Sequence, residues 1–249
     1  MLKPLFIATQ LMTRFPVPRF MSDQPKDQGR AVLYFPLIGL LIGAILYGLQ
    51  WVLQHQEHIL GAVIILIVWV GITGGLHLDG LGDSADGWLG GHGDRDKTLA
   101  IMKDSRSGVA AIVCIVLLLF TKFVVISLVI GKQNYWPLLL APMLGRLAVL
   151  PLFLTTTYAR PGGMGETMQQ YTPRIAGWLL TMAGIILVII LCRWQALIVL
   201  LVVLFVAIFL RWLMKRNLNG ITGDTTGAYI ELVEASALIG FVIIVPEIF

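Results

Sequence analysis

Long apolar runs dominate this chain, and short polar stretches separate them. A helix of about 20 mainly apolar residues crosses a bilayer, so each run is a candidate membrane span. The candidate spans lie at roughly 31–53, 59–76, 109–130, 137–157, 175–191, 196–213 and 228–246. None of the runs alternates apolar and polar residues with a period of two, which favours helices over a β-barrel.

This pattern predicts an all-α fold, a polytopic integral membrane helix bundle of about seven transmembrane helices. Because lipid cannot satisfy exposed backbone groups, each span must close its own hydrogen bonds as a helix. We expect one integral membrane domain over residues 1–249, in which residues 1–30 form an N-terminal segment before the first span.

Composition supports a membrane protein. Hydrophobic residues make up 57% of the chain and charged residues only 13%, whereas a soluble domain carries about 25% charged residues. There is too little charge to cover a water-facing surface. Cys114 and Cys192 stand far apart and show no metal-binding spacing, so we interpret them as ordinary buried thiols.

Basic residues assign the two sides of the membrane. They concentrate in four stretches, at 1–30, 77–108, 158–174 and 211–227. The loops on the opposite side contain only Lys132 and Arg193. Because cytoplasmic loops carry an excess of Lys and Arg, the N-terminus is predicted to be cytoplasmic and the C-terminus external.

Carboxylates form two groups, both on the predicted cytoplasmic side. Six of the fourteen acidic residues lie in the first group, which comprises Asp79, Asp83, Asp86, Asp94, Asp96 and Asp104. The second group comprises Asp224, Glu231 and Glu234. Convergence of two distant groups at one face predicts a single active site there.

Asp79, Asp83 and Asp86 are spaced i, i+4, i+7, so on a helix they share one face. Three like charges repel unless a cation neutralises them, and oxygen ligands suit Mg²⁺ or Mn²⁺. The alternative is a solvated loop, where Asp and Gly are common, but helical spacing directly after an apolar span disfavours it. The nearby His77 either joins this site or only hydrogen-bonds at the membrane interface.

Asp94 and Asp96 stand beside Arg95 and Lys97, which is more typical of a solvated helix start with an N-capping carboxylate.

In the second group, Glu231 and Glu234 fall within the first turns of the last span. Ionisable side chains there are costly and usually functional. Their partner is either a metal ion or a basic residue. Arg146, inside the fourth span, either joins the same pocket or forms a structural ion pair with a glutamate.

Two further segments are candidates for binding phosphate oxygens. KDSRSG contains Lys103, Asp104 and Arg106 directly before the third span, where the cations equally suit membrane anchoring. ARPGGMGE contains Arg160 in a glycine-rich stretch of the kind that folds over a substrate, although Arg160 also fits a topology marker. Nothing in the chain resembles a basic stripe or stacking platform, so we expect no nucleic-acid partner.

The segment GGLHLDGLGDSADG at 74–87, with DSRSG and GDTTGA further along, resembles the cobalamin (5′-phosphate) synthase family, also called adenosylcobinamide-GDP ribazoletransferases. The resemblance covers nearly the whole chain. It implies a multi-pass enzyme of the bacterial inner membrane with its active site facing the cytoplasm. Such an enzyme joins adenosylcobinamide-GDP to α-ribazole or α-ribazole 5′-phosphate and releases GMP, with Mg²⁺ as cofactor.

Combining the resemblance with the residue patterns assigns a role to each candidate. The catalytic residues are expected to be Asp79, Asp83, Asp86 and His77. The Mg²⁺ ligands are expected to be Asp79, Asp83, Asp86, Asp224 and Glu231. Substrate-binding residues are expected to be Lys103, Asp104, Arg106, Arg146, Arg160 and Glu234. The expected partners are the small-molecule substrates and the lipid bilayer, with a possible homo-oligomer or association with other cobamide-assembly enzymes.

Three other functions have less support in the sequence. Asp83 to Gly87 match the start of the CDP-alcohol phosphotransferase motif, but Gly90-Gly91 replaces the Ala-Arg pair expected there. An ion-coupled transporter suits intramembrane carboxylates, although the acid here lies mostly at one face and not at the midplane. A non-catalytic scaffold has no need for clustered carboxylates.

Overall fold

The computed structural model describes residues 2–18 and 24–244, and over this part of the chain the regular secondary structure is helical. The helices are α1 (Leu2–Met12), α2 (Pro25–Ala31), α3 (Phe35–Val52), α4 (His58–Thr73), α5 (Leu76–Gly91), α6 (Arg95–Ile101), α7 (Val109–Gly131), α8 (Trp136–Leu147), α9 (Val149–Thr155), α10 (Met164–Tyr171), α11 (Arg174–Cys192), α12 (Gln195–Leu218) and α13 (Gly223–Ile244). A 3₁₀ turn, Val32–Tyr34, joins α2 to α3.

The expected all-α membrane bundle is confirmed. Six helical stretches in the described residues are long and apolar enough to cross a membrane, and a bent helix pair makes a seventh if it counts as one span. The six stretches are Pro25–Val52, Val109–Gly131, Trp136–Thr155, Arg174–Cys192, Gln195–Leu218 and Gly223–Ile243. The last residues of the predicted seventh span, 245–246, and the C-terminus expected to be external lie outside the described residues, as do residues 19–23 of the N-terminal segment.

The bent pair consists of α4 and α5, which meet at 85°. Gly74 and Gly75 form the corner with φ values of +65° and +69°. This left-handed backbone costs a residue with a side chain more than it costs glycine, so the two glycines end α4 sharply. The chain then turns across the bundle as α5.

Residues 77–108, which connect the predicted second and third spans, are mostly helical, because α5 and α6 occupy most of this stretch. Glycine-rich sequence disfavours helix on propensity alone. Here tertiary packing outweighs propensity, since α5 lies between α7 and α13 and buries Leu78 and Leu81.

The last span also begins earlier than predicted, at Gly223 and not near 228. Thr222 and Thr225 explain the start. The Thr222 hydroxyl accepts from the Thr225 amide at 3.2 Å, and the Thr225 hydroxyl accepts from the Thr222 amide at 2.9 Å. This reciprocal pairing satisfies two backbone donors that the first helical turn leaves open. Asp224 therefore lies in the first turn of α13.

Burial separates central helices from peripheral ones. In an 18-residue apolar segment of Trp136–Thr155 and of Gly223–Ile243, 78% is buried, whereas the corresponding share is 22% in Arg174–Cys192 and in Gln195–Leu218. The peripheral stretches expose large apolar side chains such as Leu179 and Phe205. Since those side chains suit lipid, α8 and α13 form the centre and α11 and α12 form an outer layer.

Candidate active site

Asp79, Asp83 and Asp86 do lie on a helix, as their spacing predicted, since all three belong to α5. Asp79 is exposed, and Asp83 and Asp86 are half-buried. This part of α5 lies against the N-terminal ends of α7 and α13.

Asp86 caps α7. Its Oδ2 accepts from the backbone amide of Gly108 at 2.5 Å, and its Oδ1 accepts from the amide of Ala111 at 3.0 Å. A carboxylate at a helix N-terminus satisfies open backbone donors and offsets the positive end of the helix dipole. Both oxygens of Asp86 therefore already have partners within the protein.

Asp224 meets α5 from the other side. A Cβ atom built on Gly80 would lie 2.5 Å from the Asp224 carbonyl oxygen, so only glycine permits this approach. The charges of Asp79 and Asp224 both act on the Asp83 carboxylate. The structure thus brings Asp224 close to Asp79 and Asp83, although Asp224 lies more than 140 positions later in the sequence.

Arg160 is the cation of this group. Its Nη1 donates to Asp224 Oδ2 at 3.0 Å, and its Nη2 donates to the Leu99 carbonyl at 3.2 Å. Both members of the pair are partly exposed. A guanidinium beside three carboxylates leaves net negative charge, and it can also donate to an incoming phosphate. We call Asp79, Asp83, Asp224 and Arg160 the surface cluster.

Two loops are joined beside the surface cluster. A β-bridge links Tyr158 to Ile221, in which the Ala159 amide donates to the Ile221 carbonyl at 2.7 Å. Burial raises the pKa of Tyr158 above its ordinary value, which keeps the phenol neutral. The bridge holds the loop of Arg160 against the start of α13.

Arg95 strengthens the same junction, a role that its sequence context did not predict. Its Nε donates to the Leu218 carbonyl at 3.0 Å and its Nη2 donates to the Ala159 carbonyl at 2.8 Å. The neighbouring prediction is confirmed, because Asp94 accepts from the Lys97 amide at 3.0 Å as an N-cap. Stretches 77–108, 158–174 and 211–227 therefore share one end of the bundle, as the distribution of basic residues predicted.

The KDSRSG segment forms an exposed rim next to Asp86. Arg106 Nη2 lies 2.7 Å from Asp104 Oδ2, and this bonding lowers the pKa of Asp104 to about 2. Lys103 is exposed. Asp86, Asp104 and Arg106 border a cavity of about 480 Å³, which is also lined by apolar side chains.

Glu231 and Glu234 lie elsewhere, in the interior of the bundle. Glu231 Oε2 is 2.6 Å from Lys122 Nζ, and Glu234 Oε2 is 2.5 Å from the same atom. Glu234 also pairs with Arg146 through its other oxygen, and Arg146 Nη2 lies 3.4 Å from His77 Nδ1. Of the two alternatives for Arg146, the ion pair is the one observed. We call Lys122, Glu231, Glu234, Arg146 and His77 the buried cluster.

Arg146 was a predicted site residue, whereas no role was predicted for Lys122. The signal was available, because Lys122 is a lone charge within an apolar span, where ionisable residues are rare without a function.

Metal ligation remains a prediction. Within the described residues, no three His, Cys, Asp or Glu side chains form a ready-made group for an ion. Mg²⁺, however, commonly binds through one or two carboxylates together with substrate phosphates and water. The surface cluster offers carboxylate oxygens of that kind. Among the described residues, Asp224 is the acid of this cluster that forms a salt bridge, and its partner is Arg160.

Comparison with known proteins identifies the family of this chain. A family model described as cobalamin-5-phosphate synthase matches residues 4–242. An adenosylcobinamide-GDP ribazoletransferase of Pseudomonas fluorescens (strain Pf0-1) is 45% identical over 237 residues, which cover 95% of this chain and 98% of the relative. A protein of the same name from Pseudomonas putida KT2440 is 45% identical over 238 residues, covering 95% and 97% respectively. No solved structure matches.

Proposed function

The chain belongs to the cobalamin-5-phosphate synthase family, and from this premise we propose that it is an adenosylcobinamide-GDP ribazoletransferase, a membrane enzyme of cobalamin biosynthesis. The observation that carries the proposal is the near-complete match to relatives of that name. The surface cluster supports it, because carboxylates and an arginine at one end of the bundle suit chemistry on a pyrophosphate.

The proposed reaction is a phosphoryl transfer. A hydroxyl oxygen of α-ribazole or its 5′-phosphate bonds to the phosphorus on the cobinamide side of the pyrophosphate. The anhydride bond to GMP breaks, GMP leaves with that electron pair, and the hydroxyl proton passes to a base. Such transfers depend on positioning and charge neutralisation more than on covalent chemistry.

We assign the Mg²⁺ site to Asp79, Asp83 and Asp224. Bound there, Mg²⁺ would neutralise charge that develops on the pyrophosphate oxygens. Asp86 and Glu231 were also expected as ligands, but their oxygens already accept from α7 amides and from Lys122. We therefore propose Asp86 as a support for the site and Glu231 as part of its interior framework.

A carboxylate of the surface cluster, Asp79 or Asp83, is the proposed general base. Arginine can only donate, so His77 Nδ1 accepts in its contact with Arg146. His77 is also buried. A base must reach the hydroxyl of the substrate, and the exposed Asp79 is better situated for this than His77.

Phosphate binding is assigned to Arg160, Lys103 and Arg106. Arg160 already lies at the surface cluster, and its guanidinium has the fork that matches phosphate oxygens. Lys103 and Arg106 stand on the exposed rim, and we propose that the cavity beside Asp86 receives an organic part of the nucleotide substrate, with Asp104 orienting Arg106.

The decisive experiment uses the purified protein with adenosylcobinamide-GDP, α-ribazole 5′-phosphate and Mg²⁺. We expect equimolar GMP and joined cobamide, detected by mass spectrometry, and loss of both on chelation with EDTA. A parallel assay with α-ribazole compares the two acceptors. No product with either acceptor would refute the activity, and product without any divalent ion would refute the Mg²⁺ assignment.

The bacterial inner membrane, with the surface cluster facing the cytoplasm, is the proposed location. Single cysteines in place of the exposed Lys103 and His55, in a chain without Cys114 and Cys192, would test the sidedness. In right-side-out vesicles an impermeant maleimide should label position 55 and leave position 103 unlabelled. The reverse pattern would place the surface cluster outside.

We also propose that the protein forms a homo-oligomer or associates with other cobamide-assembly enzymes. Size measurement of the detergent-solubilised protein would test this proposal. The family match disfavours the CDP-alcohol phosphotransferase and transporter alternatives.

A further inference from the structure

Lys122 lies at a junction of helices inside the bundle. Its Nζ on α7 is 2.6 Å from Glu231 Oε2 and 2.5 Å from Glu234 Oε2, both on α13. The same ammonium lies 4.4 Å from the ring centroid of Trp69 on α4. The Lys122 side chain is only 3% exposed, so these contacts are shielded from solvent.

The buried cluster is balanced in charge. Lys122 and Arg146 supply two cations, and Glu231 and Glu234 supply two anions, while Arg146 pairs with the second oxygen of Glu234. No excess negative charge remains there to attract a metal ion. The cluster therefore needs a role other than metal binding.

The cluster connects the two helices that carry the catalytic carboxylates. Glu231 and Glu234 lie about two and three turns along α13 from Asp224. His77, which contacts Arg146, stands two positions before Asp79 on α5. Sliding α13 along α7 would break the contacts of Lys122 and carry Asp224 away from Asp83.

We propose that Lys122 is a positioning residue for the transfer reaction, because it holds α13 at the axial position in which Asp224 faces Asp79 and Asp83. The assignment of this role to catalysis rests on the proposed function. Stability alone does not require the pair, since buried ion pairs replaced by apolar residues often leave a protein as stable as before. A directional charge contact can fix the register of two helices, as buried polar residues do in some coiled coils.

The test combines Lys122→Met with Glu231→Gln, which removes one cation and one anion and keeps the cluster balanced. Spin labels are placed at two exposed positions, Val109 at the start of α7 and Ile243 near the end of α13. The distance between the labels changes when α13 slides along α7, and its measurement does not require an active enzyme. We expect a shifted or broadened label distance, a melting temperature close to that of the parent, and GMP release at least tenfold slower. The Mg²⁺ concentration for half-maximal rate should rise.

Lys132→Met is the matched control. Lys132 is also on α7 and donates to α13, at the Val242 carbonyl, but at the end remote from the surface cluster. This variant should keep the parental label distance and a rate within twofold of the parent.

An unchanged label distance in the double variant overturns the proposal, as does a parental rate, or an equal loss in the Lys132 variant. If the double variant does not accumulate, Lys122→Arg takes its place. The longer guanidinium should shift the labels and raise the Mg²⁺ requirement, and parental behaviour would overturn the proposal. A parent without GMP release refutes the proposed function instead, and the label distances still decide whether Lys122 sets the register.

Discussion

Gly80 of α5 touches the first turn of α13 so closely that a Cβ atom at position 80 would lie 2.5 Å from the carbonyl oxygen of Asp224. The Asp224 Cα would be only 3.0 Å away. Backbone atoms cannot yield as a flexible side chain does, so the separation of α5 and α13 depends on the absence of a side chain here. That separation also determines how near Asp224 stands to Asp79 and Asp83.

Gly80→Ala should therefore slow GMP release by at least about tenfold, because displacements near 1 Å can cost enzymes roughly 100-fold in rate. Gly71→Ala is the control, since a Cβ at this helical glycine meets nothing within 4 Å. It should retain the rate and melt slightly higher, as alanine favours helix. Initial rates and melting temperatures in detergent measure both. A fully active Gly80 variant would contradict the close packing.

Asp83 and Asp86 should respond differently to substitution. Asp83→Asn removes a proposed metal ligand and should abolish product formation with little change in stability. Asp86→Ala removes the cap of α7 and should cost about 0.5–2 kcal/mol of stability. The rate should also fall, because Gly108 loses its bond to Asp86 and moves in the cavity that both residues line. Thermal unfolding and product assays together separate the two effects. Equal stability loss in both variants would show that Asp83 is structural.

Arg160 is predicted to act through geometry as well as charge. Arg160→Ala should lower the rate about 100-fold or more, in line with losses of single charge-stabilising donors. Arg160→Lys keeps the charge but cannot reach both Asp224 and Leu99, so it should recover only part of the rate. Arg216→Ala, at an exposed arginine stacked over Trp212, is the control and should behave like the parent. Full activity of the lysine variant would reduce the role of Arg160 to charge.

The Asp104–Arg106 pair gives a pH prediction. Bonding to Arg106 lowers the pKa of Asp104 from 3.8 to about 2. For an acid with a lowered folded-state pKa, the stabilisation is present above the unfolded pKa and is lost as pH falls toward the folded one. Asp104 and Arg106 are therefore both ionised between about pH 6 and pH 8.

Asp104→Asn should change the rate by a factor that stays constant across that range. The check is a comparison of pH–rate profiles for the variant and the parent. Profiles that diverge between those limits would mean that another titrating group depends on Asp104.

The transmembrane architecture could be predicted from the sequence because long apolar runs report directly on lipid exposure. Runs such as 109–130 and 175–191 agree closely with α7 and α11. The turn at Gly74-Gly75 and helix α5 were harder to predict. Their glycines oppose helix locally, and packing against other helices, including α13 more than 130 positions away, makes the helix favourable.

The proximity of some candidate residues was predictable, but their division into two clusters was not. Asp79, Asp83, Asp224 and Arg160 do meet at one end of the bundle. The division of the acidic residues between the surface cluster and the buried cluster was not foreseen. That division depends on Lys122, which stands out as a lone charge in an apolar span, but its partners are 109 and 112 positions away and cannot be identified from its sequence neighbours.

The long separation between Lys122 and its partners has a consequence for biosynthesis. Lys122 enters the bilayer with α7, but Glu231 is synthesised 109 residues later. A lone lysine at the centre of an inserted helix costs about 2.5–3.5 kcal/mol, and the remaining apolar residues of α7 must offset this while the nascent chain grows. A chain that stalls before α13 leaves the ammonium of Lys122 and the guanidinium of Arg146 without the counter-charges that Glu231 and Glu234 supply.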